Sequence, residues 1–258
     1  MCWWLIILSV ITVWVASLFK ILNAPNSESD AAFLSHGHQR NVLLVIAHPD
    51  DESMFFSPTI NYLISRGHNL HILCLSTGNA DGIGNVRKDE LYQACTVLKV
   101  PLEQVKVLDL VDFQDGFGKL WNHKLLAKNV EEEVITNGID LIITFDNYGV
   151  SGHCNHRDVH HGICNLLIET SQRNIEAWEL VSINMLRKYS GPIDIWLSIL
   201  TTMCYPGGQV HCLLNEHPKK SFLAMSQHLS QWVWFRKLFV SFSSYTYVNT
   251  LKRMVTTH

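Results

Sequence analysis

An uninterrupted apolar run, Val42 to Ala47, passes directly into His48, Pro49, Asp50, Asp51 and Glu52 before apolar sequence resumes at Met54. A run without polar alternation suits a central strand covered on both faces by helices. The stretch "DLIITF", ending at Phe145, has the same character. Strands are expected at Asn41–Ala47, Asn69–Leu75, Val105–Leu110, Ile139–Phe145 and Leu180–Asn184. Amphipathic stretches separate them at Phe55–Arg66, Val86–Leu98, Leu120–Asn137 and Arg157–Thr170. Strand and helix alternating in this rhythm predict an α/β fold, a doubly wound, mostly parallel, Rossmann-like sheet.

Ligands of such sheets bind in the crevice outside the carboxyl ends of the strands. The unusual clusters of this chain fall there: "HPDDE" after the first strand, "STGNADGIGN" after the second, "VDFQDGFG" after the third and "DNYGVSGHCNH" after the fourth. An imidazole and a carboxylate three residues apart, His48 and Asp51, can point at one ion, and a third ligand must then come from elsewhere. "GHCNH" offers His153 and His156. Two histidines and one carboxylate leave coordination positions open, as a hydrolytic metal centre requires. Asp50 becomes the candidate base for an attacking water, and the remaining histidine can assist the oxyanion or the leaving amine. The competing reading of "DDES" is a helix cap, and Glu52 fits that role better than catalysis.

Arg87, after the Gly-rich "NADGIGN", is a candidate phosphate contact at a helix start, against the plainer reading of a surface residue. Asn79 and Asp115 are candidate contacts for sugar hydroxyls. The first strand ends in acids rather than glycines, which disfavours a dinucleotide site. With 20 Lys and Arg against 23 Asp and Glu and no basic stripe, a nucleic-acid partner is excluded. The cysteines are scattered, odd in number and never paired as CxxC, so they are read as reduced thiols.

Trp3 to Phe19 carries no charge, and Ile21 and Leu22 extend the run beyond Lys20. About 20 residues at 1.5 Å each cross a hydrocarbon layer of about 30 Å. A cleaved signal peptide is the rival reading, but a basic n-region is missing. Residues 1–22 are therefore read as a retained transmembrane anchor, 23–40 as a polar tether and 41–258 as the catalytic domain. Lys20 and Arg40 on the C-terminal side of the span predict a cytoplasm-facing body. His36 and His38 in the tether are read as solvated. The aromatic and basic stretch Gln231–Val248, with Arg236, Lys237, Lys252 and Arg253, is read as a helix suited to a headgroup layer.

"AHPDDE" with a distant "VSGHCNH", joined by "STGN", "RKDEL" and "DFQDG", resembles the PIG-L/LmbE-like family of metal-dependent N-acetylglucosaminide deacetylases across most of Asn41 to His161. The anchor, "SINMLRKY" and "LSQWVWFRKLFVSFSSY" narrow the resemblance to the eukaryotic branch. Its substrate is the glycolipid N-acetylglucosaminyl-phosphatidylinositol, on the cytoplasmic face of the endoplasmic reticulum. The resemblance implies His48, Asp51 and His156 as metal ligands, Asp50 as general base and His153 as the oxyanion or amine histidine. It implies zinc, with iron(II) or another divalent ion open. Many bacterial members have Asp where this chain has Asn155. A deacetylase of a soluble N-acetylglucosamine conjugate and a catalytically silent membrane scaffold remain alternatives, and the oligomeric state is left open.

Overall fold

Apolar runs flanked by polar turns form the expected strands, and their pairing sets the position of every candidate residue. The computed structural model describes residues 2–23, 39–116, 118–170, 175–205 and 207–255. Its strands are β1 (Asn41–Ile46), β2 (Asn69–Cys74), β3 (Val105–Val107), β4 (Leu141–Phe145), β5 (Glu176–Leu180), β6 (Val210–Leu214) and β7 (Val248–Arg253). They form one seven-stranded sheet in the order β3-β2-β1-β4-β5-β7-β6. The first five run parallel, and β7 is antiparallel to both β5 and β6. The chain reverses its direction of winding between β1 and β4, so the crevice of a doubly wound sheet opens at their carboxyl ends. "HPDDE" leaves β1 and "GHCNH" follows β4, on either side of that crevice.

Helices Ser57–Ser65, Gly84–Leu98, His123–Asn137 and Cys154–Glu169 cover the faces of the sheet. Strands β1 and β4 are buried almost throughout, as runs without alternation should be. The third strand is shorter than expected, and the fifth lies at Glu176–Leu180 rather than Leu180–Asn184. Glu176 and Glu179 gave that segment a polar look, yet Glu176 sits at the sheet end, 2.8 Å from Arg40 Nη1. Arg40 also binds Asp140 at 2.7 Å, so this residue of the expected tether belongs to the sheet domain.

The C-terminal reading needs the larger correction. Helix Trp234–Phe242 covers only part of Gln231–Val248, and the chain then becomes β7, an interior strand. Lys252 and Arg253 therefore belong to a strand, not to an amphipathic helix. Removing Gln231 to His258 would take out β7, and loss of folding is the expected result by circular dichroism rather than a simple loss of membrane contact. His36 and His38 lie outside the described residues.

Helix Cys2–Leu22 is long and apolar enough to cross a membrane, and little of it is buried in the protein. Its contact stripe is Trp14, Ser17, Leu18 and Ile21, the i, i+3, i+4, i+7 pattern of one helical face. Ile21 packs with Ile195, Tyr247 and Val248, and Ser17 Oγ accepts a hydrogen bond from Trp196 Nε1 at 2.9 Å.

Candidate metal centre

The loop after β1 folds back on itself because Asp51 satisfies its backbone. Asp51 Oδ2 accepts from the backbone nitrogens of Ala47 at 3.1 Å and His48 at 2.8 Å, which leaves Oδ1 facing His156 Nε2 at 3.2 Å. Asp50 takes φ 123°, a strained value for a residue with a Cβ. Its backbone nitrogen donates to Glu52 Oε2 at 3.1 Å. Glu52 lies inside the short helix Asp51–Met54, whose N-cap is Asp50; it ties down that residue's backbone, is fully buried, and its Oε1 lies 2.7 Å from His228 Nε2.

Across the crevice, Asp146 organises the turn after β4 by accepting from the nitrogens of Tyr148 and Gly149. Gly149 has φ +65°, and a Cβ there would stand 2.6 Å from the Cβ of His156. Its carbonyl lies 3.0 Å from His156 Nδ1. Val150 also has positive φ, rare for a β-branched residue, and its backbone is tied down at both ends. Its nitrogen donates to Ser182 Oγ at 2.7 Å, and its oxygen accepts from Lys188 Nζ at 2.6 Å. Ser182 and Lys188 both belong to "SINMLRKY", whose contribution is to hold this turn.

His48, His153 and His156 converge, with one nitrogen of each lying within 4.8 Å of the others. Phe145 stacks on the His156 ring at 4.1 Å between centroids, and Trp121 stands edge-on to His48. His48 Nε2 lies 3.2 Å from both Asn155 Oδ1 and Asp115 Oδ1, two acceptors, so that nitrogen carries the proton. Its Nδ1 then presents a lone pair on the Asp51 side, 3.8 Å from Oδ2. Asn155 is oriented by donating from Nδ2 to Lys119 O at 2.8 Å. With Asn155 in place of Asp, the neighbour of His48 accepts a hydrogen bond without adding charge.

The donor set fits a divalent cation. His156 gives its Nδ1 proton to Gly149 O, so Nε2 offers a lone pair to Asp51 Oδ1, itself an acceptor. The two atoms, 3.2 Å apart, face one position that a proton on Nε2 or a divalent cation can fill. A carbonyl on the far nitrogen of a histidine is the usual support of a metal ligand.

Burial alone would raise Asp51, but His156 and His48 beside it and the backbone N–H hold its carboxyl well below the usual range. Burial would lower His48, yet the hydrogen bond to Asp115 and the charge of Asp51 outweigh it and the imidazole is raised. His153 is pushed down to about 4 by burial and by the neighbouring His156 and His48. Asp50 is raised by burial, against the pull of Arg236 and Arg87.

A family model for GlcNAc-PI de-N-acetylases, PIG-L, matches residues 43–167. The chain is 37% identical to the N-acetylglucosaminyl-phosphatidylinositol de-N-acetylase of Bos taurus, covering 93% of this chain and 91% of that one. To the Saccharomyces cerevisiae protein of the same name it is 30% identical, over 95% and 90% of the two chains. The chain belongs to the PIG-L family. In fold it is similar to the zinc-inhibited form of the teicoplanin deacetylase Orf2, with a TM-score of 0.57, 12% identity and coverage of 83% of this chain and 98% of that one.

The five residues that the PIG-L resemblance singled out sit together, whereas the candidate substrate contacts Arg87, Asn79 and Asp115 divide. His48, Asp50, Asp51, His153 and His156 form the cluster, and Asp115 joins it through His48 and Arg87. Arg87 is buried, not a surface residue. Its guanidinium donates to Pro49 O and Gly78 O, each at 2.8 Å, and reaches Asp50 Oδ2 at 3.4 Å. Asn79 is exposed, and its Oδ1 accepts from Gly84 N at 2.9 Å. Arg236, read from sequence as a headgroup contact, turns inward and places Nη1 2.9 Å from Asp50 Oδ2. An arginine on an aromatic helix gives no local signal of pairing with an acid far away in sequence.

Gly78 has φ +67°, and a Cβ there would run into the Arg87 guanidinium. Gly78→Ala should cost about 1–3 kcal/mol in backbone strain alone and displace Arg87 from Asp50. A lowered melting temperature together with reduced turnover is the expected result. A cavity of about 990 Å³ lies apart from the cluster, between Leu18 and Leu22 of the anchor and helix Pro218–Met225.

Proposed function

We propose that this PIG-L family member hydrolyses the N-acetyl group of N-acetylglucosaminyl-phosphatidylinositol, giving glucosaminyl-phosphatidylinositol and acetate. This is the second step of glycosylphosphatidylinositol anchor synthesis. The observation that carries the reading is the convergence of His48, His153 and His156, with Asp51 against His156, at the switch point of the sheet, next to the buried Asp50. It occurs in a chain whose near-full-length relatives bear that name.

His48, Asp51 and His156 would hold the divalent ion, zinc in this reading. When bound, the ion acidifies a water and polarises the amide carbonyl. Asp50 takes the proton of the attacking water. Both guanidinium contacts fall on its Oδ2, which leaves Oδ1 for that proton. Arg87 and Arg236 fix the carboxylate, and burial raises its affinity for a proton. The backbone nitrogen of Asn155 lies 3.3 Å from His153 Nδ1, so Nε2 carries the proton that can meet the oxyanion and then the departing amine. Asp115 holds His48 in the tautomer the ligand role requires.

Residues 1–22 serve as the membrane anchor and 41–258 as the deacetylase domain, at the endoplasmic reticulum membrane with the domain on the cytoplasmic side. The test is competition between the lipid and its soluble deacylated headgroup. Preference for the lipid by the full chain supports the reading. Equal kcat/KM on both would point to a soluble conjugate as the substrate.

A further inference from the structure

The depth at which the domain grips its anchor has a consequence for the surrounding helices. Residues 3–13 of the anchor are exposed along their whole length, and contact with the domain begins at Trp14. Eleven residues rise only about 16 Å, roughly half of the 30 Å hydrocarbon layer. If the domain stayed outside that layer, the free part of the anchor would be too short to cross. The elements packed on Trp14 to Ile21 must therefore lie in the near leaflet.

Those elements are identifiable. Trp196, on helix Asp194–Cys204, donates to Ser17 Oγ, and Ile195 packs on Ile21. Gly191, just before that helix, is flanked by Trp14 and by the end of helix Trp234–Phe242. A Cβ on it would stand 3.3 Å from Trp14 Nε1 and 3.5 Å from Phe242 O. Both helices thus reach the level of the anchor's first contact.

Their outer faces suit that environment. Leu197, Leu200 and Met203 are exposed on one face of the first helix, and Trp234, Leu238 and Phe242 on one face of the second. Among the charges nearby, the exposed Lys20 lies over the Trp196 ring at 5.6 Å, and the rest are paired or stacked. Asp194 is buried and bound to Arg187 Nε at 2.6 Å, Arg236 points inward to Asp50, and Lys237 lies 5.5 Å from the Trp232 ring centroid. The first helix has eleven residues, too few to span a bilayer and enough to lie in one leaflet.

We propose that helices Asp194–Cys204 and Trp234–Phe242 are immersed side by side with the anchor in the near leaflet. The inference rests on reading Trp3–Leu22 as a membrane span. Because Arg236 contacts Asp50 from the second helix, the immersed surface borders the active site, and a lipid substrate can reach it without leaving the bilayer.

The test is acyl-chain photolabelling of the full-length protein in phosphatidylcholine vesicles carrying a diazirine in the fatty acyl chain, with adducts mapped by peptide mass spectrometry. Adducts are expected around Leu200 and Leu238 as well as on the anchor. None is expected at Leu102 and Val111, exposed apolar residues near β3, at the opposite edge of the sheet. A Leu200→Glu, Leu238→Glu variant should lose the labelling of both helices and keep that of the anchor. Adducts confined to the anchor would overturn the proposal and leave a protein partner or a second copy as the cover of these faces. Absence of adducts on the anchor itself would overturn it at its premise, the span.

Discussion

Asp50→Asn should lower turnover by a factor of about 10² to 10⁴, the usual contribution of a positioned proton acceptor, while the protein still folds and binds metal. The substitution is nearly isosteric and keeps an oxygen for the guanidinium contacts that Arg236 and Arg87 make at 2.9 and 3.4 Å. What it removes is the basicity that burial confers on this carboxylate. The readouts are kcat on the glycolipid, zinc content and melting temperature, measured on one preparation. An equal fall in zinc content and activity would assign Asp50 to the metal instead. Unchanged turnover would remove it from the chemistry altogether.

The second large effect concerns a pair that takes no part in the reaction. Glu52 and His228 are both fully buried and meet at 2.7 Å, with Ser53 Oγ 2.5 Å from the same glutamate oxygen. Burial would lower His228, but the charge of Glu52 and the hydrogen bond to it prevail and the imidazole is raised. The pair joins the loop after β1 to the segment preceding helix Trp234–Phe242, and the other Glu52 oxygen accepts from the strained Asp50 nitrogen. Removing one partner of a buried pair costs about 3–5 kcal/mol because the other is left uncompensated. Glu52→Ala should lose that much in chemical denaturation. A Glu52→Leu, His228→Leu double variant, which leaves no lone charge, should recover part of the stability but not the turnover, since the Asp50 backbone loses its acceptor. Full activity in the double variant would show that the pair has no part in positioning Asp50.

Much of this was legible in the sequence because its parts are local. The unbroken apolar runs announced β1 and β4, and the acids and histidines that follow them could be placed at the crevice by topology alone. The PIG-L resemblance then distributed roles among residues that the structure brings together. The portions that were hidden depend on long-range contacts. Strand β5 carries Glu176 and Glu179, and the glutamate at its start is held by Arg40, Trp178 Nε1 and Arg253, the first and last of them far away in sequence. Strand β7 follows an aromatic helix that masks it, and its place between β5 and β6 is set by antiparallel pairing late in the chain. Arg236 and His228 resemble ordinary surface residues until their partners, Asp50 and Glu52, are seen across the fold. The distinction between Arg87 as a phosphate ligand and as a support of the base needed the carbonyls of Pro49 and Gly78, which no spacing rule supplies.

The most direct test of the central claim is acetate release from N-acetylglucosaminyl-phosphatidylinositol by the purified full-length chain, stripped by chelator and then reloaded with zinc or iron(II). The account predicts that activity disappears on stripping, returns with a divalent ion, and is absent at every metal concentration in His156→Ala. Acetate release that survives complete stripping, or that persists in His156→Ala, would contradict it.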